Sequence, residues 1–343
     1  MSTDSSSPKP SNPSRRAILA AGGVAIAGIA ASRAMHPRWN EPTPVFIARI
    51  HSYASDLRST IRHGLEACGL TAGQFADRRV LLKPNLVEPN RRIPHMTTHP
   101  AMIVAAADVF RAWGASVSVG EAPGHMRDTL FALAESGVFE ALRQDKIPFV
   151  DLNYEETDWR PNLGGFSGLD GIHFPRSIVE ADFVVSLPKL KTHHWVGMTA
   201  TMKNFYGVLP GIKYGWPKNV LHHNGIPETV VDINCSLPRT LGIVDAIECM
   251  EGDGPILGSM KPLGLILVGG NLPAVDATAA RIMGLEPTRV SYLGLAEHRL
   301  GPLDERLIEQ RGEIWQSVAS PFEIIDEEHL QRLRSTATGP LIT

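Results

Sequence analysis

Residues 80–120 read VLLKPNLVEPNRRIPHMTTHPAMIVAAADVFRAWGASVSVG and show a strand, a helix and a second strand in turn. Residues 80–82 are a short apolar run typical of a buried strand, and residues 100–113 have a helical pattern with proline in the first turn. Gly114 ends this helix, and residues 116–120 are the next predicted strand. Repeated along a chain, such an alternation predicts a mostly parallel sheet covered by helices on both faces.

The alternation continues on both sides of this stretch. Residues 45–50 are a predicted strand, and residues 53–68 are a predicted amphipathic helix. Further strands are predicted at 149–152, 183–187, 241–247 and 263–268, and further helices at 128–143, 198–208, 228–235, 274–283, 291–299 and 327–334. Residues 154–175 lack clear periodicity and predict a long loop or a small hairpin. We therefore expect an α/β fold of two Rossmann-like lobes with mostly parallel sheets and an interlobe cleft.

The length of 343 residues suits one large domain or two lobes that share a cleft. The predicted organisation is a Pro-rich linker at 35–44, a domain at 45–285 and a C-terminal helical tail at 286–343. Within the domain, lobe one spans about 45–153 and lobe two about 176–285.

The N-terminal segment has the pattern of an export signal. Arg15 and Arg16 precede a weakly hydrophobic, Gly- and Ala-rich run at residues 17–31, which is typical of a twin-arginine signal peptide. A membrane anchor is the alternative, but a span needs about 20 strongly apolar residues. Small residues at 32–34 offer a cleavage site, so residues 1–34 are the predicted signal, either cleaved or kept as a tether. We expect a periplasmic or extracellular protein, exported folded by the twin-arginine machinery, with membrane contact only through an uncleaved signal.

The charge argues against a general nucleic-acid binder. The chain has 33 basic and 36 acidic residues, a formal net charge of −3. Removing residues 1–34 would take away Lys9, Arg15, Arg16, Arg33 and Asp4 and leave 29 basic against 35 acidic residues. A negative chain without interleaved aromatic and basic residues is a poor match for a phosphate backbone.

The cysteines do not form a metal-binding framework. Cys68, Cys235 and Cys249 are widely spaced, so neither a zinc site nor an iron–sulfur cluster motif is present in the sequence. One disulfide or three inert thiols remain the two interpretations. The sequence also lacks the glycine-rich loop of a nucleotide site and the elbow of a serine hydrolase.

Polar residues follow four of the predicted strands. These segments are Lys83-Pro84-Asn85, residues 121–125, residues 188–194 and residues 245–253. Because ligands in such sheets bind at the carboxyl ends of strands, we expect the four segments to form loops on one rim.

Lysine is concentrated in the third of these regions and beyond it. After residue 34 the chain has eight lysines, and five of them are Lys189, Lys191, Lys203, Lys213 and Lys218. Arginine is absent between Arg176 and Arg239. Lysine alone indicates compact cations that hold a carboxylate or phosphate, or that act as base or nucleophile. The alternative is a chance cluster on a surface loop.

Histidines and carboxylates add to the candidates. Seven histidines precede or lie in the predicted loops, namely His95, His99, His125, His193, His194, His222 and His223. We expect two or three of them in a site for a metal or for proton transfer. Asp245 ends a predicted buried strand and needs a partner, for which a central lysine is suited. Asp253 is a further candidate. Asp232 is expected to cap a helix or to form a salt bridge, and Asp276 to cap the start of its helix.

Several of these stretches resemble the domain of unknown function 362 family. The matching pieces are Lys83-Pro84-Asn85-Leu86, Thr98-His99-Pro100, Lys189-Leu190-Lys191-Thr192-His193, Lys203-Asn204-Phe205-Tyr206-Gly207, Asp245-Ala246-Ile247 with residues 251–255, and Ala274-Val275-Asp276-Ala277. Some members carry an added ferredoxin-like module, whose cysteines this chain lacks.

A fainter resemblance, from residues 180 to 222, is to nickel-pincer lactate racemases. It implies Lys203, before the Leu-Pro-Gly turn at 209–211, as an anchor or ligand-binding lysine. It also implies His125, His193 or His194, and His222 as metal ligands or proton-transfer groups. His99-Pro100 stands where that family has Arg-Pro. The implied cofactor is a divalent metal or a nickel-pincer-like group.

The sequence thus predicts an exported enzyme that binds a small anionic molecule with a metal or cofactor in a Lys- and His-rich cleft. Isomerase- or redox-like proton or hydride transfer is the expected chemistry, and a non-catalytic periplasmic anion- or cofactor-binding or assembly protein is the alternative. The candidate residues are Lys203, His193, His125 and Asp245 for catalysis, Lys83, Asn85, Lys189, Lys191 and Asn204 for the ligand, and His222 and His194 for a metal.

Overall fold

The fold is taken from a computed structural model that describes residues 42–125, 127–297 and 299–334. Within these ranges the chain forms twelve strands. They are β1 (Thr43–Arg49), β2 (Arg79–Lys83), β3 (Ser116–Glu121), β4 (Phe149–Asp151), β5 (Thr157–Pro161), β6 (Gly171–Pro175), β7 (Phe183–Ser186), β8 (Lys189–His193), β9 (Gly197–Thr199), β10 (Arg239–Glu251), β11 (Ser259–Gly269) and β12 (Ile308–Gly312).

Fourteen α-helices occur in the same described ranges. They are α1 (Leu57–Ala67), α2 (Ala72–Phe75), α3 (Pro100–Ala112), α4 (Thr129–Glu135), α5 (Val138–Gln144), α6 (Arg176–Glu180), α7 (Thr201–Asn204), α8 (Gly211–Tyr214), α9 (Asn219–His223), α10 (Ile226–Ser236), α11 (Leu272–Ile282), α12 (Ser291–Ala296), α13 (Trp315–Val318) and α14 (Glu328–Gln331). Short 3-10 turns lie at Pro94–Met96, Phe205–Val208, Pro287–Arg289 and Glu305–Leu307.

Ten of the described strands form one sheet, in the order β12-β1-β11-β10-β7-β2-β3-β4, with β8 paired to β10 and β9 paired to β8. The run from β10 through β7, β2 and β3 to β4 is parallel throughout. β11 is antiparallel to both of its neighbours, β1 and β10. β5 and β6 form a separate antiparallel hairpin. The sheet is therefore mostly parallel, as predicted.

Alternate residues of the central strands enter opposite hydrophobic cores. In β2, Leu81 packs in one core, whereas Val80 and Leu82 pack in the other. In β11, Leu265 and Leu267 face the first core and Ile266 the second. The first core is completed by α10, α11 and α12, and the second by α1 and α3. Because both faces are covered, the strands are apolar on both sides, which is the pattern of a parallel sheet.

The expected α/β class and mostly parallel sheet are confirmed, but the two lobes are not separate sheets. β7, expected in lobe two, is hydrogen-bonded to β2, expected in lobe one, with Val80 opposite Phe183. A strand between two partners satisfies its backbone amides and carbonyls on both sides. The strands of both predicted lobes therefore join in one sheet, apart from the β5–β6 hairpin between them.

Three local predictions need correction. Residues 189–193, expected in a loop, form strand β8, because they pair with β9 and with β10. Residues 198–208, expected to be one helix, are split among β9, α7 and a 3-10 turn. The tail after residue 285, expected to be helical, contains β12, which pairs in parallel with β1 and so extends the sheet.

Other predictions agree with the structure. The hairpin alternative for residues 154–175 is the one found, as β5 and β6. The predicted linker at 35–44 differs at its end, because β1 already begins at Thr43. In the part of the chain that the structure describes, no helix combines the length and apolar character needed to cross a bilayer. The predicted signal at 1–34 lies outside the described residues.

Candidate functional site

A cavity of about 260 Å³ lies where β2 and β3 end, between those ends and the segments that follow β8 and β9. Eight of the eleven candidate residues line it: Lys83, Asn85, His125, His193, His194, Lys203, Asn204 and His222. The parallel strands bring these distant segments together, since their carboxyl ends share one edge. The cavity is therefore the candidate site.

A buried ion pair forms the floor of the cavity. Lys83 Nζ, at the end of β2, lies 2.8 Å from Glu121 Oε2, at the end of the neighbouring β3. Glu121 also accepts hydrogen bonds from the backbone N–H groups of Leu86 and Ala122. Burial lowers the pKa of Lys83 and raises that of Glu121, and their mutual attraction opposes both shifts. The three hydrogen bonds that the carboxylate accepts favour its ionised form.

Two asparagines continue this network into the cavity wall. Asn204 Oδ1 accepts from Lys83 Nζ at 3.1 Å, and Asn204 Nδ2 donates to the Lys83 carbonyl and to Ser186 Oγ. Because an ammonium only donates, this fixes the orientation of the Asn204 amide. Asn85 Nδ2 then donates to Asn204 Oδ1 at 3.1 Å, and Asn85 Oδ1 is buried without a partner in the described residues. Both asparagines were predicted, and both hold positions beside the lysine.

Lys203 projects into the same cavity from the short helix α7. The start of α7 is held by Asp276 of α11, which accepts from the backbone N–H groups of Thr201 and Met202. Asp276 therefore caps α7, whereas a cap at the start of its own helix was expected; Asn271 has that place. The pKa of Lys203 is lowered to about 7, first by desolvation and then by the charge of Lys83.

Lys203 is partly buried, and its amine is held differently from those of the fully buried lysines. Its Nζ atom lies 4.0 Å from the centroid of the Tyr206 ring, over the ring face. Of the described residues, none offers Lys203 Nζ a hydrogen-bond acceptor or an ion-pair partner within contact distance. A cation over an aromatic face is attracted by the ring but keeps its N–H groups available.

Two further lysines lie on or behind the wall of the cavity. Lys218 Nζ, on the cavity wall, donates to Asn153 Oδ1 at 3.0 Å and to the Leu209 carbonyl at 2.5 Å. Lys191 Nζ lies behind the wall and donates to two backbone carbonyls, of Met96 and Pro255. Desolvation lowers the pKa of each lysine to about 7. Both ammonium groups are thus solvated by neutral oxygens.

Histidines and an indole line the upper part of the cavity. The pKa of His193 is held well below its ordinary value by burial, and that of His222 is lowered to about 4 by burial and by the charge of Lys203. Both imidazoles are therefore neutral near pH 7. Trp195 is 55% exposed, and its ring lies 5.3 Å from the His222 ring.

The two remaining histidines of the candidate set lie at the edge of the cavity. His194 Nδ1 lies 3.7 Å from Asp253 Oδ1, and His125 Nδ1 lies 3.9 Å from Glu88 Oε2. All four of these side chains are partly exposed to solvent. Burial lowers the pKa of His125.

Three candidate residues do not line the cavity. Lys189 and Asp245 are opposite each other on β8 and β10 and form a buried ion pair of 2.7 Å, so the predicted central lysine partner of Asp245 is Lys189. Tyr53 donates to Asp245 Oδ1 and accepts from Lys189 Nζ. Asp245 lies within β10, not at the end of a strand as expected, because β10 continues to Glu251. These contacts join β8 to β10, and Lys189, Lys191 and Asp245 lie outside the cavity that holds the other candidates.

A metal held by protein side chains does not fit the described residues. The sequence predicted His222 and His194 as ligands of a metal. Across residues 42–125, 127–297 and 299–334, no three His, Cys, Asp or Glu side chains are grouped so that they could hold a metal ion.

Sequence reasoning missed four residues of the cavity wall as site residues: Glu121, Trp195, Tyr206 and Lys218. Glu121 begins a segment that the strand pattern placed on the rim, and Lys218 belongs to the lysine-only region, so a signal existed for both. Trp195 and Tyr206 had none, because an aromatic residue in a sequence is more often core than site.

Comparison with known proteins adds three findings. The family model described as Domain of unknown function (DUF362) matches residues 80–281. The thylakoid-associated protein sll1697 of Synechocystis sp. (strain PCC 6803) is 30% identical over 263 residues, which cover 75% of this chain and 79% of that protein. The structure of the lactate racemase apoprotein from Thermoanaerobacterium thermosaccharolyticum is 15% identical, with a TM-score of 0.43, over 72% of this chain and 58% of that chain.

Proposed function

This chain belongs to the domain of unknown function 362 family, as its motifs predicted, and we propose that its cavity binds a small carboxylate or phosphate anion on which Lys203 acts as acid or base. The observation that carries this proposal is the surplus of buried positive charge around one cavity. The substrate is a small molecule, in keeping with a cavity of about 260 Å³.

The surplus follows from the partners of each lysine. Glu121 neutralises Lys83, but Lys191 and Lys218 contact only neutral oxygens, and Lys203 contacts an aromatic ring. Burying a charge without a counter-ion costs free energy, and the lowered pKa values of these three lysines reflect that cost. An anion in the cavity would supply the missing negative charge and would raise the pKa values again. Anion binding is thus favoured by every lysine of the group.

The acid–base role rests on the position and pKa of Lys203. A general base works best when its pKa lies near the working pH, and that of Lys203 is about 7. The group points into the cavity with its N–H bonds available. His193 and His222 line the same cavity as neutral imidazoles, so they add no charge that competes with Lys203 for an anion. Proton transfer is therefore the reaction type that the residues support best.

The first test asks whether anion binding depends on Lys203 in particular or on any lysine of this region. Calorimetric titration with inorganic phosphate and with acetate should show binding to the wild type and at least tenfold weaker binding to Lys203→Met. Lys213→Met is the matched control, because Lys213 is an exposed lysine of the same region. Equal affinity in the wild type and Lys203→Met would overturn the proposal.

The second test concerns catalysis. Small carboxylates and phosphate esters with a hydrogen on the neighbouring carbon are incubated in D2O, and loss of that hydrogen is followed by proton NMR. The wild type should catalyse exchange of at least one compound, and Lys203→Met should not. Anion binding without exchange would overturn the enzymatic role and favour a non-catalytic anion-binding or assembly protein.

Location and cofactor remain predictions from the sequence. We propose export to the periplasm or cell exterior, supported by Arg15 and Arg16 before the weakly apolar run at 17–31. A cofactor attached at Lys203 is supported only by the sequence resemblance.

A further inference from the structure

Four lysines surround the cavity, and their amines divide into two kinds. Lys83 Nζ contacts Glu121, Asn204 and the Pro84 carbonyl. Lys191 and Lys218 each contact two oxygens, as described above. The three acceptors around Lys83 Nζ leave no direction in which a lone pair would avoid an oxygen. Lys191 and Lys218 place two N–H bonds on fixed oxygens, so their amines are tied to the protein. Lys203 differs, because its Nζ atom meets a ring face and the cavity.

The position of Lys203 is also firmly set. Asp276 receives three hydrogen bonds from the first turn of α7, from Thr201 N, Thr201 Oγ and Met202 N. Asn204, the next residue after Lys203, is tied to Lys83 and Ser186. The backbone on both sides of Lys203 is therefore fixed, and its amine reaches the cavity from a rigid base.

We propose that Lys203 forms an imine with the carbonyl carbon of a small oxo acid bound in this cavity. This inference rests on the proposed function and deepens it, because it names the substrate class: an anion whose carboxylate stands next to a ketone or aldehyde. The carboxylate would lie among the cations of the cavity, Lys83 and Lys218, while the carbonyl carbon meets Lys203.

The step balances without an added oxidant or reductant. The nitrogen lone pair of the neutral amine attacks the carbonyl carbon, and the C–N bond forms as the C=O π bond becomes a hydroxyl. The hydroxyl then leaves as water, and both amine protons end on that water. The product is a C=N bond between lysine and substrate. Protonation gives an iminium, which withdraws electrons and acidifies the hydrogen on the next carbon.

Two features favour this step at Lys203. Imine formation needs the neutral amine, and the lowered pKa provides a large neutral fraction near pH 7. The iminium carries the positive charge that the ammonium had, so the Tyr206 ring stabilises the adduct as well as the free cation. The resulting acidified hydrogen is the one that the proposed proton transfer requires.

The experiment is reductive trapping on the full chain. The protein is incubated with pyruvate and sodium cyanoborohydride, digested and analysed by mass spectrometry. We expect one reduced pyruvate adduct, located at Lys203, at least tenfold more abundant than at any other lysine. Acetone, which has the carbonyl but no charge, should label Lys203 at least tenfold less. Acetate should compete with the trapping.

The controls are two lysine variants. Lys203→Arg keeps a cation but cannot form an imine, so it should lose the adduct. Lys213→Arg should be labelled like the wild type. Uniform labelling of exposed lysines, or trapping that persists in Lys203→Arg, would overturn the inference. If phosphate and acetate bind through Lys203 but no adduct forms there, the imine is wrong and the proposed function stands; if neither anion binds, the proposed function fails.

Discussion

Lys83 Nζ lies 2.8 Å from Glu121 Oε2, and the two side chains are only 1% and 2% exposed. The pair joins the carboxyl ends of the adjacent parallel strands β2 and β3. Around it stand three more lysines whose pKa values are about 7. This buried ion pair is therefore the central charged feature of the site, and the other three lysines lie around it.

Removing one partner of this pair should destabilise the protein strongly. Glu121→Gln leaves the Lys83 ammonium buried without a counter-ion, and we expect a loss of about 3–5 kcal/mol in the free energy of unfolding. Urea denaturation followed by circular dichroism measures it. Arg91→Ala, which breaks the exposed pair with Glu140, is the control and should change stability by about 0–1 kcal/mol. Equal effects of the two variants would contradict a buried, unscreened pair.

Gly207 should not tolerate a methyl group. A Cβ atom there would stand 2.4 Å from Glu121 Oε1 and 2.7 Å from Lys83 Nζ, so the ion pair would have to shift. We expect Gly207→Ala to lower stability by about 1–3 kcal/mol and to weaken phosphate binding. Gly124→Ala, on the same cavity wall with nothing within 4 Å of its added Cβ, should leave both properties near wild type.

Anion affinity should fall as pH rises above about 7. The anion binds the protonated lysines, and the pKa values of Lys191, Lys203 and Lys218 are about 7 without ligand. Well below pH 7 the affinity for a fixed-charge anion should be flat. Above it, the affinity should drop about tenfold per pH unit for each lysine that must be protonated. Calorimetry with sulfate, whose charge is constant over this range, gives the slope.

Lys203→Arg provides the control for this slope. Arginine stays charged, so the variant should lose about one unit of slope, whereas Lys213→Arg should keep the wild-type slope. A wild-type affinity that rises with pH would refute protonated lysines as the binding groups.

Stability without ligand should rise between pH 7 and about pH 10. In this window the unfolded lysines still hold their protons, whereas Lys203 in the folded state has released its own, so the unfolded state binds more protons. Each such lysine adds about 1.4 kcal/mol of stability per pH unit, and this contribution is lost as pH falls towards 7. Urea midpoints across the range measure it. Lys203→Met should reduce the slope and Lys213→Met should not; an unchanged slope in Lys203→Met would place the pKa of Lys203 at its ordinary value.

Export should depend on the arginine pair. Replacing Arg15 and Arg16 together with lysine keeps the charge but removes the twin-arginine motif, and we expect the protein to remain in the cytoplasm. Cell fractionation and immunoblotting measure it, with Lys9→Arg as a control outside the motif. Export of the double variant at the wild-type level would exclude the twin-arginine route.

Much of the fold was predictable from local pattern. Residues 80–120 give a strand, a helix and a strand in the structure within one or two residues of the predicted bounds, as β2, α3 and β3. Hydrophobic periodicity carries this information, because it depends only on neighbours in the sequence. The one-sheet arrangement was not predictable, because the pairing of β7 with β2 joins residues about a hundred positions apart. Likewise, β8 is a strand because β10 and β9 offer it partners.

The site, like the fold, was predictable from the sequence only in part. The sequence by itself determined which chemical groups are present: lysines without arginine from 189 to 218, histidines at both ends, and polar residues after the strands. Nothing in that pattern distinguishes Lys203 from Lys189. Only the tertiary structure decided that Lys189 is neutralised by Asp245 while Lys203 faces a cavity without an acidic partner among the described residues. The physical reason is that burial and distance set the charge state of a group, and both come from contacts between segments far apart in the chain.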